Sequence, residues 1–193
     1  MPIVVQDRRV RRSKALISHA FTELVLEKDY GQVTVQDIID RADIGRSTFY
    51  AHFRDKESVL LSCFDEVEAA LASMSSRTSA PAAASTPPRV LLDHAWDHQR
   101  VYRAICASSA SGIVQRHLRR ILLPVLDRFL PSAGKSDETA IAREFYLSAV
   151  IGVLIWWVST DFRVAPADVA DEIQRLAASG LWQEAGTDPL LTR

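Results

Sequence analysis

The chain has 193 residues, 48% of them apolar and 24% charged, which is material for one or two small cores in an ordinary soluble globular protein. A net charge of −1 excludes a globally basic nucleic-acid scaffold. Two cysteines, Cys63 and Cys106, exclude a disulfide framework and suit a reducing cytoplasm, and the first apolar run, PIVV, is too short for a signal peptide.

Glycine is scarce (seven residues) and helical apolar spacing recurs throughout, so the chain reads as all-α, with about nine helices. A first helix is expected from about Arg9 to Lys28, with Leu16, Ile17, Ala20, Phe21 and Leu24 on one face. YGQV breaks it. Thr34 followed by Asp37 has capping spacing and starts a second helix, Val35 to Ala42. Asp43, Ile44 and Gly45 form a tight turn, since Asp tolerates the left-handed conformation and Gly45 is an acceptable N-cap. A third helix is expected from Arg46 to Phe53, and Asp55 caps a long fourth one reaching about Ala72. A Ser/Ala/Pro-rich mobile loop follows at about 73–87, then helices at about 87–108, 113–130, 137–160 and 166–179, with Gly180 as a stop.

Helix, three-residue turn, helix over about 34–53 is a helix-turn-helix arrangement. Phe49 and Phe53 face inward at i, i+4. Ser47, Tyr50, Ala51 and Arg54 lie opposite, with Thr48 and His52 on the flanks and Arg46 at the tip. Forked donors, short hydroxyls and a phenol suit base edges and phosphate oxygens, and an α-helix fits the major groove of duplex DNA. Lys56 and the capped start at Thr34 are placed for flanking phosphates. A cluster at the N-terminus, including Arg8, Arg9 and Arg12, is within reach of the DNA backbone or an adjacent minor groove. Residues up to Lys56 hold ten Lys/Arg against eight Asp/Glu, and the remainder thirteen against sixteen.

TVQDIIDRADIGRSTFYAHFRDKESVL, with the helix before it, resembles the DNA-binding region of the TetR family of bacterial transcriptional regulators. The resemblance covers about residues 9–62 and includes Phe49-Tyr50, His52, Phe53, Lys56 and Leu60. It implies a cytoplasmic bacterial homodimer on a pseudo-palindromic operator, most often a repressor, with a DNA-binding domain at 1–54 and a ligand-binding and dimerisation domain at 55–193. Carried over by position, Thr34, Gly45, Arg46, Ser47, Thr48, Tyr50, His52 and Lys56 are the expected contacts. Two positions depart from the family pattern: Asp43 stands at the usual turn glycine and Gly45 at the usual serine cap. A contact at Gly45 therefore rests on its backbone amide.

FYLSAVIGVLIWWV, residues 145–158, is the most apolar run, shorter than a membrane span and bracketed by charges. No membrane association is expected. A helix apolar nearly all round needs cover on nearly all sides. Ser148, Ala149, Gly152 and Trp156, with Val169, Ile173 and Leu176 of the last helix, are the candidate dimer interface; a purely intrachain core is the competing reading.

Trp96, Tyr102, Cys106, Phe129 and Trp156 are candidates to line a pocket for a small-molecule effector, although aromatics at this spacing equally suit a plain core. His94 and His98 are four apart, but no third metal ligand stands at a telling spacing, and no metal or cofactor is expected. No phosphate loop, HExxH, nucleophile elbow or CxxC occurs, so a binding switch is favoured over an enzyme. Two alternatives remain at this level: a DNA-binding regulator controlled by a protein partner, and an all-α metal-binding protein or enzyme.

Overall fold

A computed structural model of the chain describes residues 3–76, 86–129 and 136–181. Most of the expected loop, the SAGKS turn and the side chain of Phe129 lie outside the described residues. Among the described residues every regular element is helical: α1 (Ile3–Glu27), a 3₁₀ turn η1 (Tyr30–Gln32), α2 (Val35–Ala42), α3 (Arg46–Tyr50), α4 (Lys56–Ser62), α5 (Asp65–Ser76), α6 (Pro87–Asp97), α7 (Gln99–Cys106), α8 (Ser111–Phe129), α9 (Ser136–Ser159) and α10 (Pro166–Leu181).

The all-α expectation holds, with ten α-helices described. Several boundaries differ from the sequence reading. No glycine or proline interrupts residues 3–27, so α1 begins at Ile3 rather than near Arg9 and takes in Arg8 with Arg9 and Arg12, all three exposed. The expected fourth helix is two helices. At the joint the Cys63 amide donates to Leu60 and the Phe64 amide to Leu61, tighter i→i+3 bonds that interrupt the helix where Phe64 is buried in the core. The helix expected over 87–108 also divides, because His98 leaves the helical region (φ −118°, ψ 31°). Gly180 lies inside α10.

The chain forms two compact units, residues 1–69 with 98–117 and residues 70–97 with 118–193. The first unit is thus larger than the expected 1–54 segment and takes in α7 and the start of α8. Its core gathers Ile17, Phe21, Leu24, Val33, Ile38, Phe49, Val59, Leu60, Tyr102 and Ile105, each at most 4% exposed. Burial of such side chains stabilises by roughly 1.5–3 kcal/mol each before entropy is charged. α1 is the central strut, packing on α2, α3, α4 and α7.

In the second unit α10 packs on α6 and α9 around Leu91, Leu92, Leu147, Leu154, Trp157 and Val169. Trp157 is fully buried, stacks 6.0 Å from Trp96, meets Phe162 edge-on at 4.7 Å, and donates its indole N–H to the carbonyl of Val164. By length and composition, the stretch Asp137–Ser159 is apolar enough to cross a membrane, yet only 33% of its most apolar window is buried within the protomer.

Candidate nucleic-acid interface

The helix pair is built from caps. Thr34 Oγ1 accepts from the Asp37 amide while Asp37 accepts from the Thr34 amide, closing a capping box at the start of α2. Asp37 also accepts from Lys28 at 2.8 Å, and this bond, followed by those from Thr34, pulls its carboxyl down to about 2. α2 stops at Asp43, whose left-handed backbone (φ 51°, ψ 53°) is the conformation a short polar side chain tolerates. Gly45 follows as the N-cap of α3, without any side-chain cap. Its φ of −74° needs no glycine, and an added Cβ would meet only ordinary contacts at 3.8 and 3.9 Å.

α3 holds five residues, and one further turn closes through Phe53, whose amide donates to Phe49. Phe49 and Phe53 are buried and pack on each other, centroids 6.1 Å apart. Arg46, Ser47, Tyr50, Ala51 and Arg54 are exposed; Thr48 and His52 are half-buried. Tyr50 stands 57% exposed, its ring edge-on to Phe49 at 5.3 Å, which fixes its direction at small entropic expense. Arg46, Ser47 and Tyr50 are thus accessible along α3, as reading duplex DNA from a helix requires, while the Arg54 guanidinium beyond its end donates to Asp55 at 3.1 Å.

Lys56 does not simply point outward. Its ammonium donates to the carbonyls of Tyr30, Gly31 and Val33, at 2.9, 3.3 and 2.7 Å, and lies 4.5 Å from the centre of the Tyr30 ring. Two features escaped sequence reasoning. Arg46 donates to Gln36, and Gln36 to Asp40, along the exposed side of α2; the i, i+4 spacing of Gln36 and Asp40 was the available signal. Arg41 grips Glu27 with two hydrogen bonds and reaches Glu23, tying α2 to α1.

The expected pocket residues do not collect in one unit. Tyr102 and Cys106 belong to the first, Trp96 and Trp156 to the second. Tyr102 is core, edge-on to Phe64 at 5.8 Å. Trp157 rather than Trp156 joins the aromatic core; Trp156 is 53% exposed. His94 lies in α6, and His98 is the N-cap of α7. Among the described residues no group of three or more His, Cys, Asp or Glu side chains is placed to hold a metal ion.

Of the expected interface residues, Val169 and Ile173 are already buried in the protomer's own core, so their stripe packs inward. Leu176, Ser148, Gly152 and Trp156 are exposed and Ala149 is half-buried. With Ile141 and Phe145, at 69% and 60% exposure, Ser148, Gly152 and Trp156 form one stripe along α9. A Cβ added to Gly152 would meet nothing within 4 Å.

Known proteins match both parts of the chain. The family described as "Bacterial regulatory proteins, tetR family" matches residues 16–63, and "Transcriptional regulator C-terminal region" matches residues 89–179. An HTH-type transcriptional regulator of Bacillus subtilis, YxbF, is 42% identical over 55 residues, 28% of this chain but only 14% of that protein. A TetR transcriptional regulator from Streptococcus agalactiae superposes with a TM-score of 0.60 over 90% of this chain and 97% of its own, at 24% identity. NalD of Pseudomonas aeruginosa, a secondary repressor of the MexAB-OprM multidrug efflux pump, superposes with a TM-score of 0.59 over 90% and 97%, at 16% identity. At such identities the superpositions establish the fold, and the two family matches together cover most of the sequence. The chain belongs to the TetR family of bacterial transcriptional regulators.

Proposed function

We propose that the chain is a repressor that binds a pseudo-palindromic operator as a homodimer and is released by a small-molecule effector acting on the second unit. The observation that carries the DNA reading is the outer side of α3: Arg46, Ser47 and Tyr50 are exposed while Phe49 anchors the helix from beneath, with Phe53 buried and Arg54 exposed just beyond its end. Thr34, Thr48, His52 and the Gly45 amide supply flanking contacts, and the exposed arginines 8, 9 and 12 of α1 add sequence-independent attraction to phosphates.

Dimerisation is supported by the stripe on α9. Glycine inside a helix costs about 1 kcal/mol relative to alanine, and nothing among the described residues crowds Gly152. Its missing side chain is explained by a helix that approaches closely from outside, α9 of a second copy. Lipid fits this face poorly. Glu144, 63% exposed, is paired there with Arg119, and Arg119 also donates to Ser148.

Effector control is a coupling between the two units, which the chain crosses at 69/70, 97/98 and 117/118. An effector shifts the operator-competent state only by its difference in affinity for the two arrangements. Genomic fragments retained by the purified protein test the reading. A recurrent two-fold symmetric sequence is expected, and Tyr50→Ala should lose it while melting as the parent does. Retention of fragments without any shared sequence would overturn the operator assignment.

A further inference from the structure

η1 is the three-residue turn that connects α1 to Thr34, and both of its hydrogen-bonding sides are taken. On the donor side the Gly31 amide is accepted by Asp29 at 2.7 Å, and Asp29 also accepts from the amide and hydroxyl of Ser109, at 3.3 and 2.9 Å. Gly31 fits closely there: a Cβ would lie 3.0 Å from Asp29 Oδ1 and 3.2 Å from Ser109 Oγ, so those side-chain oxygens would have to give by a few tenths of an ångström. On the acceptor side the carbonyls of Tyr30, Gly31 and Val33 converge on Lys56 Nζ. An ammonium has three protons and no lone pair, so these three carbonyls saturate it. The Tyr30 ring, itself packed edge-on against Phe21 at 6.2 Å, closes a further side of the cation.

We propose that Lys56 is a positioning residue of the recognition unit: its ammonium clamps η1 and so fixes the N-cap of α2, instead of bridging to a DNA phosphate. The link from clamp to cap is covalent and short. Val33, whose carbonyl receives the 2.7 Å bond, is fully buried and immediately precedes Thr34, where the capping box begins. A phosphate would have to strip at least one carbonyl from Lys56, leaving that oxygen without its charge-assisted donor. The clamp concerns the free protein; its consequence for affinity rests on the DNA-binding reading above.

Two substitutions separate the roles. Lys56→Met keeps the length and removes the charge. Lys56→Arg keeps the charge and the capacity to hold a phosphate, but its planar fork does not aim three N–H groups at convergent carbonyls. Hydrogen exchange of the full-length protein without DNA is expected to run at least about fivefold faster in both variants for amides 33–38, relative to the parent. On operator DNA both variants should bind more weakly, with the slope of log affinity against log salt unchanged. A phosphate contact predicts the reverse: exchange at the parental rate, full affinity in Lys56→Arg, and a slope shallower by about 0.9 in Lys56→Met. Parental exchange in either variant, or that loss of slope, overturns the proposal. Should Lys56→Met not fold, Lys56→Arg decides through exchange alone. A parent that retains no DNA would count against the operator reading while the exchange result still judges the clamp.

Discussion

Arg46, the first residue of α3, donates a hydrogen bond to the side-chain oxygen of Gln36 in α2, and the Gln36 amide donates in turn to Asp40 at 2.6 Å. A long exposed side chain is thereby held before any DNA arrives, which lowers the entropy lost when it meets a base edge. Arg46→Ala is expected to remove about 1–3 kcal/mol of discrimination between operator and random sequence. Gln36→Ala, which leaves the guanidinium in place but unheld, should weaken the same discrimination roughly two- to tenfold, the value of one net hydrogen bond. Competition titrations against operator and scrambled duplexes measure both. Equal discrimination in parent and Arg46→Ala would remove Arg46 from base reading.

Acid should loosen the recognition unit through Asp37. Lys28 and Thr34 hold the folded carboxyl at about 2, against 3.8 when unconstrained. Because the folded value is the lower one, the stabilisation is complete above about pH 4 and drains away as pH falls through about 2. Asp37→Asn should therefore flatten the decline of Tm between pH 5 and pH 2, while costing about 1 kcal/mol near neutrality as the cap weakens. A melt series over that range checks it; parallel curves for parent and variant would show that Asp37 contributes nothing to acid sensitivity.

Gly152 gives opposite signs for the protomer and for the dimer. In the isolated protomer Gly152→Ala adds about 1 kcal/mol of stability, because the new methyl group meets only open space. In the dimer proposed above, the same methyl group would stand where the second α9 approaches. The dimer dissociation constant should rise at least about tenfold, as it should for Trp156→Arg on the same stripe. Sedimentation equilibrium with circular dichroism separates the effects. Two variants that dimerise as the parent does would place the subunit contact elsewhere.

The cysteines should be slow nucleophiles. Burial pushes Cys63 up to about 12, with Asp65 adding to it, and Cys106 up to about 11. At pH 8 both are almost wholly thiol, and only the thiolate attacks. Alkylation of the folded protein by iodoacetamide should run at least about a hundredfold slower than that of a free cysteine peptide. Rates near the free-thiol value at either position would reopen a redox role for it.

Gly45 stands in an extended conformation that any residue adopts. Gly45→Ser should supply the missing side-chain cap to α3 and stabilise the first unit by about 0.5–1 kcal/mol, read as a shifted denaturation midpoint with an unchanged slope. A midpoint at or below that of the parent would contradict it.

What the sequence determined by itself lies mostly within α2 and α3. A hydroxyl three residues before Asp37, an aspartate at the end of α2 and phenylalanines four apart are local signals, and local hydrogen bonds and 3.6-residue periodicity act on them without the rest of the chain. The apolar run of α9 likewise announced a helix needing cover on more than one side. Tertiary structure decided what local rules do not reach. The breaks at Cys63–Phe64 and at His98 have no glycine or proline to mark them; at the first, Phe64 is buried against Tyr102. Trp156 and Trp157 are adjacent and chemically identical, and only the packing of Trp96 and Phe162 makes one core and leaves the other exposed. The direction of Lys56 was equally unreadable, because its three carbonyls lie 23 to 26 residues away along the chain.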